Sequence, residues 1–194
     1  MIEAPTIEIE QLTDEVLVAR ARQRDAAARE ALFQRHRDEA FRVARRLLGD
    51  EHDALDAVQD SLLKAFSRLE SFDGRGGFRF WLLRIVTNTA LDSGRRRKRR
   101  AAPPLVGEPV SDSTDDDPGR GLDRQDLRRA LDEALAALSP RIRATFVLFA
   151  ESGLSYKEIA ETQGVPIGTV MSRINAARRK LQESLDWEKL KGLD

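Results

Sequence analysis

The 194-residue chain contains no cysteine. That absence removes disulfides, thiolate zinc sites, iron–sulfur clusters and cysteine nucleophiles together. Its two histidines, His36 and His52, are too few for a histidine-rich metal site. No segment approaches the ~18 uninterrupted apolar residues that a membrane-spanning helix needs. The first residues, MIEAPTIEIEQL, are acidic and lack the basic segment and long apolar run of a secretory signal. Net charge is missing as well, with 33 Lys and Arg against 33 Asp and Glu. The expectation is a reduced, soluble, cytoplasmic protein with no metal, no cofactor and no membrane insertion. What is present is 41% hydrophobic residues, enough for one or two small cores and too many for a wholly disordered chain.

The neutrality is an average over opposed blocks. Residues 1–19 carry five acids and no base, and residues 51–74 carry six acids against two bases. Residues 75–100 carry nine bases and one acid, ending in the run Arg95 to Arg100. Residues 165–183 carry four bases and one acid. At physiological salt a charge is felt over only about 8 Å, so a partner meets the block and not the sum. A run of six adjacent cations repels itself unless an anion is near.

The chain divides at a segment of poor folding composition. Residues 101–121, AAPPLVGEPVSDSTDDDPGRG, hold four prolines, three glycines and Asp115-Asp116-Asp117, with no apolar period. They read as a flexible acidic linker. The expected organisation is a domain over 1–100, a linker over 101–122 and a domain over 123–194. Both domains read as all-α. Asp25 is placed to cap a long helix stopped by Gly49, and Asp50 to cap the next. ESFDGRGG at 70–77 is a loop, and a further helix runs from Phe78 to about Lys98. Leu127, Leu131, Leu135 and Leu138 mark another helix, and Ser139-Pro140 opens the one after it. No segment has the period of a strand.

Two constellations carry chemistry. In SYKEIAETQGVPIGTVMSRINAARRKLQE, Ser155 and Glu158 form a capping box and Gly164 ends a short helix. A second helix follows Val165-Pro166, with Val170, Ile174, Ala177 and Leu181 inward. This is the pattern of a helix-turn-helix. Its second helix is expected to expose Thr169, Ser172, Arg173, Ala176 and Arg179 to a major groove. On the helix from Phe78, the residues Arg84, Asn88, Asp92, Arg95 and Arg99 fall in one stripe, with Trp81 at its head. Cations for phosphate, an amide for a base edge and an aromatic for stacking suit an unpaired strand. Trp81 also reads as a core residue, and Asp92 as an ion-pair partner of Arg84 or Arg95/Arg96.

HDALDAVQDSLLKAF followed by FRFWLLRIVTNTALDSGRRRKRR resembles region 2 of bacterial sigma factors. LSPRIRATFVLFAESGLSYKEIAETQGVPIGTVMSRINAARRKL resembles their region 4. Two such regions joined by a short linker is the layout of the extracytoplasmic function (ECF) sigma factors. The resemblance implies a protein that binds core RNA polymerase, recognises −10 and −35 promoter elements and promotes melting. It implies polymerase docking, on the β′ clamp helices, by Asp53, Asp56, Gln59 and Asp60, and contact with the β flap by the C-terminal domain. It places −10 DNA contacts at Phe72, Arg75, Phe80, Trp81, Arg84, Asn88, Arg95, Arg96 and Arg99. The loop Phe72–Gly77 and Asn88 match positions that capture a flipped base. It places −35 contacts at Ser155, Tyr156, Thr169, Ser172, Arg173, Ala176 and Arg179. It makes a cognate anti-sigma factor an expected partner. Two departures stand out: Met171 follows G-T-V where the family usually has a cation, and Ala176 replaces a larger or basic residue.

The sequence offers no enzyme. Gly74-Arg75-Gly76-Gly77 lacks the Lys-Ser/Thr of a phosphate-binding loop, and there is no G-x-S-x-G or H-E-x-x-H. The main rival is a stand-alone helix-turn-helix regulator that binds duplex DNA without polymerase. A third reading, an adaptor that sequesters another factor, leaves both basic blocks unexplained.

Overall fold

A computed structural model describes residues 8–101 and 124–184 of the chain. The expected acidic linker, the first acidic residues and the tail from Asp186 to Lys191 lie outside them. Among the described residues there are eight α-helices and no strand. They are α1 (Asp14–Arg22), α2 (Ala26–Leu48), α3 (Glu51–Ser67), α4 (Gly77–Ala101), α5 (Arg124–Ala136), α6 (Pro140–Ala150), α7 (Tyr156–Gln163) and α8 (Ile167–Ser184).

Local chemistry sets the helix ends. The Asp25 carboxylate accepts from the Ala28 N–H at 3.1 Å and opens α2, which Gly49 closes in a left-handed conformation. Asp50 accepts from the Asp53 N–H at 2.9 Å and opens α3. These bonds to backbone N–H groups, that to Ala28 for Asp25 and that to Asp53 for Asp50, hold both carboxyls below their ordinary pKa. Ser139 occupies the N-cap of α6, but its side chain makes no capping bond. Pro140 supplies the fixed φ of the first turn there. Leu138 lies just beyond α5 and is buried all the same.

The helices α1–α4 form a bundle. Leu17 and Ala21 of α1, Leu32, Val43 and Ala44 of α2, Ala54 and Ala65 of α3, and Phe78, Leu82, Leu83 and Val86 of α4 are all nearly inaccessible. Alanines at the crossings let the backbones approach, so leucines from neighbouring helices interdigitate. The hydroxyl of Thr89 lies 3.1 Å from the Lys64 ammonium, which donates to it and ties α4 to α3.

The C-terminal helices do not stand apart. Ala144, Val147 and Leu148 of α6, Leu154, Ile159 of α7, and Val170 and Ile174 of α8 belong to the same contiguous core as the bundle. A smaller cluster of Ala134, Leu135, Leu138, Ala177 and Leu181 holds α5 to α8. Sequence periodicity does not decide whether the two helical groups pack together. Here α2 packs on α6 and α4 on α7. The rim of this junction is polar. Arg79 of α4 donates to Glu39 at 2.7 Å and to the Ser152 carbonyl at 2.5 Å. Arg46 pairs with Asp132 at 2.5 Å, Arg42 pairs with Glu151 at 3.2 Å, and Arg143 donates to the Leu47 carbonyl at 2.9 Å. Burial pushes the Arg143 pKa down, while the Glu39 carboxylate raises that of Arg79.

One loop glycine is held by its surroundings. Gly76 has φ +72°, and a Cβ there would sit 2.8 Å from Phe80 Cδ1. Gly164, in the turn between α7 and α8, has φ +62° but faces open space. The substitution Gly164→Ala therefore meets only the left-handed penalty, about 1 kcal/mol. Gly76→Ala adds displacement of a buried ring and costs about 2–4 kcal/mol. Urea unfolding followed by circular dichroism should rank the two variants in that order, and equal losses would contradict the packing described.

Candidate nucleic-acid interface

α4 is two-sided because its apolar positions recur at helical spacing while its other positions do not share them. Phe78, Leu82, Leu83, Val86 and Ala90 are buried. Arg84, Asn88, Asp92, Arg95 and Arg99 are all exposed, so the expected stripe is a continuous outer surface. Asp92 pairs with Arg95 within the stripe. Arg97, which lies off the stripe, pairs with Asp53 on α3 at 2.5 Å.

The aromatic side chains divide differently from expectation. Phe72 is only 6% exposed and Phe80 only 8%, so both are core residues and not surface contacts to a base. The physical reason lies in the loop, which folds back over the first turn of α4. The Phe72 ring fills the space between Phe78 and Trp81, at centroid distances of 6.1 and 5.2 Å. Its carbonyl accepts from the Arg22 guanidinium, which anchors the loop to α1. Phe80 lies beneath Gly76. Trp81 is half-buried and stands 5.9 Å from Phe78, so it packs on the core and keeps one part of its ring accessible beside the stripe. Arg75 at the loop tip is almost fully exposed and pairs with Asp73 at 3.3 Å.

On α3, Asp56, Gln59 and Asp60 are exposed, together with Leu55 and Leu63. Leu63 is 70% exposed, which leaves a large apolar side chain in water beside two carboxylates. Asp53 is half-buried and engaged by Arg97, which sets it apart from the other three. Composition flagged the acidic residues of this face. Helical spacing counts Leu55 with the apolar positions of this helix, beside Ala54, Val58 and Leu62, yet it lies in water with Leu63, which spacing does not single out.

The α7–α8 pair forms the expected helix-turn-helix. The Ser155 hydroxyl and N–H both donate to Glu158, at 2.6 and 2.7 Å, in a full capping box. These Ser155 bonds hold the Glu158 carboxyl below its ordinary pKa, with help from Arg79. Ser155 is exposed but its hydroxyl is committed, and Tyr156 is half-buried against Phe149 at 5.5 Å.

α8 is rotated relative to the sequence-based expectation. Val170, Ile174, Ala177 and Leu181 face inward as expected. The face opposite them carries Gly168, Ser172, Asn175 and Arg179, all exposed. Thr169, Arg173 and Ala176 lie on a half-buried flank instead of the outer face. Arg173 donates to Gln163 Oε1 at 2.7 Å, and that same oxygen lies 2.9 Å from the Thr145 hydroxyl. Partial burial, with Arg141 nearby, pushes the Arg173 pKa down. On the other flank Ile167 and Met171 are 50% and 48% exposed. The sequence reading singles out neither Asn175, which lies on the outer line half a turn from the buried quartet, nor Ile167, which lies on the flank with Met171. No group of side chains able to hold a metal ion occurs among the described residues. None of their helices is long and apolar enough to cross a membrane.

The described residues are helical, with a basic stripe on α4 and a helix-turn-helix in α7–α8. Residues 32–100 match the family model for sigma-70 region 2, and residues 128–181 that for sigma-70 region 4. The chain is 33% identical over 186 residues to the ECF RNA polymerase sigma-E factor of Haemophilus influenzae, across 91% of this chain and 97% of that protein. It is 39% identical over 156 residues to the ECF RNA polymerase sigma factor SigE of Mycolicibacterium smegmatis, across 79% of this chain and 60% of that one. Among solved structures it is similar to CnrH in complex with the cytosolic domain of CnrY, with a TM-score of 0.68 and 31% identity. That match covers 89% of this chain and 97% of CnrH. It is also similar to the sigma factor RpoE bound to the anti-sigma factor NepR from Bartonella quintana, with a TM-score of 0.63, 30% identity and coverage of 80% and 94%. The chain belongs to the ECF sigma factors of the sigma-70 family.

The capping box gives a pH test. The folded pKa of Glu158 lies below its unfolded value, so its contribution is complete above about pH 4.5 and is lost as pH falls through the depressed value. Glu158→Gln keeps the capping geometry and removes the titration. Urea midpoints at pH 6 and pH 3.5 should fall further in the parent protein than in this variant. Identical falls would refute the role of the carboxylate.

Proposed function

We propose that this chain directs core RNA polymerase to promoters and opens them, through three surfaces. The face of α3 with Asp56, Gln59, Asp60, Leu55 and Leu63 docks on a basic and apolar surface of the β′ subunit. The α4 stripe, with the accessible part of Trp81 and the loop-tip Arg75, takes unpaired bases and backbone of the −10 element. α8 enters the major groove at −35, and the C-terminal helices meet the β flap. The observation that carries this reading is the stripe, because five polar positions stay in water on a helix whose opposite face is sealed in the core. Asn88 sits one turn from Arg84, an amide beside a cation, as capture of a flipped base requires.

No covalent step is involved, and the protein acts without being an enzyme. Unstacking costs a few kcal/mol per base, and capture in the N-terminal helices offsets it. The acidic residues 101–122 serve as a tether whose carboxylates imitate nucleic-acid phosphates inside polymerase. The N-terminal domain over 1–100 then melts DNA, and the C-terminal domain over 123–194 reads the duplex. Such work places the chain in the cytoplasm with the polymerase. The RpoE relative is bound to an anti-sigma factor, and this chain is proposed to have a comparable inhibitor.

Promoter binding has a geometric consequence. The −10 and −35 elements lie about 25 base pairs apart, or roughly 85 Å at about 3.4 Å per pair. Helices packed directly on one another, as α2 is on α6, do not span that distance. Residues 102–123 reach at most about 75 Å when fully extended. The two helical groups therefore part when both elements are engaged.

Run-off transcription with core polymerase and a promoter library tests the reading. Promoter-specific transcripts and a stable core complex are expected. Their joint absence, with strong site-specific duplex binding by the free protein, would favour the stand-alone regulator. Two variants separate the surfaces. Asn88→Ala should reduce open-complex formation about five- to a hundredfold, the loss of one good base contact, while core binding holds. Asp60→Lys should weaken core binding itself. Equal loss of both activities by Asn88→Ala would refute its assigned role.

A further inference from the structure

The first turns of α8 carry an arrangement that phosphate anchoring does not explain. Ile167 and Met171 are four residues apart, each about half exposed, and form an apolar ridge beside Ser172 and Asn175. Three of the four cations of α8 meet other groups of the chain, and the fourth, Lys180, is exposed near the end of the helix. Arg173 is held by Gln163 at 2.7 Å, Arg178 lies over the Phe149 ring at 5.4 Å, and Arg179 pairs weakly with Glu183 at 4.0 Å. No carboxylate precedes Glu183 on the helix, so nothing on this face repels DNA. The backbone is open as well, since a Cβ on Gly168 would meet nothing within 4 Å.

We propose that Met171, with Ile167, reads the C5-methyl groups of thymines in the −35 element. This rests on the −35 reading of α8 given above. In the major groove thymine alone presents an apolar group, its methyl, and apolar side chains are its natural contacts. A guanidinium or ammonium at the same position would instead select guanine or a phosphate. Four residues of helix advance about 6 Å, close to two base-pair steps, so the ridge addresses two thymines about two pairs apart. Methionine suits the role because its unbranched thioether adapts to the groove. Ser172 and Asn175 supply the polar partners on the adjoining line, and asparagine pairs well with adenine edges. The −35 specificity of this chain is therefore rich in A·T pairs, and it arises from methyl contact.

The test uses holoenzyme reconstituted from the full chain and core polymerase. A duplex library randomised across the −35 element is selected for binding, and the preferred thymines are then replaced singly by deoxyuridine. This removes the C5-methyl and leaves the pairing intact. The expected result is a five- to tenfold loss of affinity at one selected thymine. Met171→Ala should shrink that loss to within twofold, and Met171→Lys should move the preference at that position toward guanine. Equal binding of thymine and deoxyuridine would overturn the inference, as would full methyl dependence in Met171→Ala or a selected element without thymine. Those failures leave core binding and transcription untouched. Failure to form any holoenzyme would bring down the sigma-factor reading itself, and this inference with it.

Discussion

The outer surface of α4 depends on the burial of its inner one. A helix of mostly polar and cationic residues has little reason to hold its shape in water, and the run from Arg95 to Arg100 works against it. Phe78, Leu82, Leu83, Val86 and Ala90 supply what the polar face does not, by locking one side of the helix among α1, α2 and α3. The Phe72 ring and the Arg22 bond to its carbonyl then fix the loop against the same helix. Trp81, Arg84 and Asn88 are held in place by this packing, so in the proposed −10 role little ordering remains to be done on binding.

Neutrality follows from this segregation and does not argue against a nucleic-acid partner. Basic residues line α4 and the end of α8, while carboxylates collect on α3 and in the segment between the helical groups. Some charges are spent internally. Arg42, Arg46 and Arg79 bind Glu151, Asp132 and Glu39 where α2 and α4 meet the C-terminal helices. That junction joins an apolar contact to a ring of charge-assisted bonds. Several of these bonds are at least partly exposed, so each contributes modestly and is sensitive to salt.

Much of this was legible in the sequence. The caps at Asp25 and Asp50, the capping box at Ser155, the inward quartet of α8 and the outer stripe of α4 all followed from spacing alone. The misassigned aromatics had a different cause. Phe72 sits in a loop, where periodicity carries no information about which way a ring points, and Phe80 lies in the first turn of α4, where the loop at Gly76 covers it. Only the return of the loop over α4 decides it. The rotation of α8 was an error of phase. The expected outer face joins Thr169, Arg173 and Ala176 to Ser172 and Arg179, although Val170, Ile174, Ala177 and Leu181 put only the latter two opposite the core. Packing between the two helical groups was not legible, because each group has a self-consistent amphipathic pattern and Ala144, Val147 and Leu148 do not name their partners.

In the proposed account two DNA-reading surfaces, carried by helical groups that pack together in the free chain, serve one promoter at once. The absence of native cysteine makes the direct measurement clean. Cysteines placed at the exposed positions Arg37 and Glu161 can carry a donor and an acceptor dye without competing thiols. Energy transfer should be high in the free protein and fall sharply in a promoter open complex with polymerase. Unchanged transfer in a complex that is actively transcribing would contradict the account.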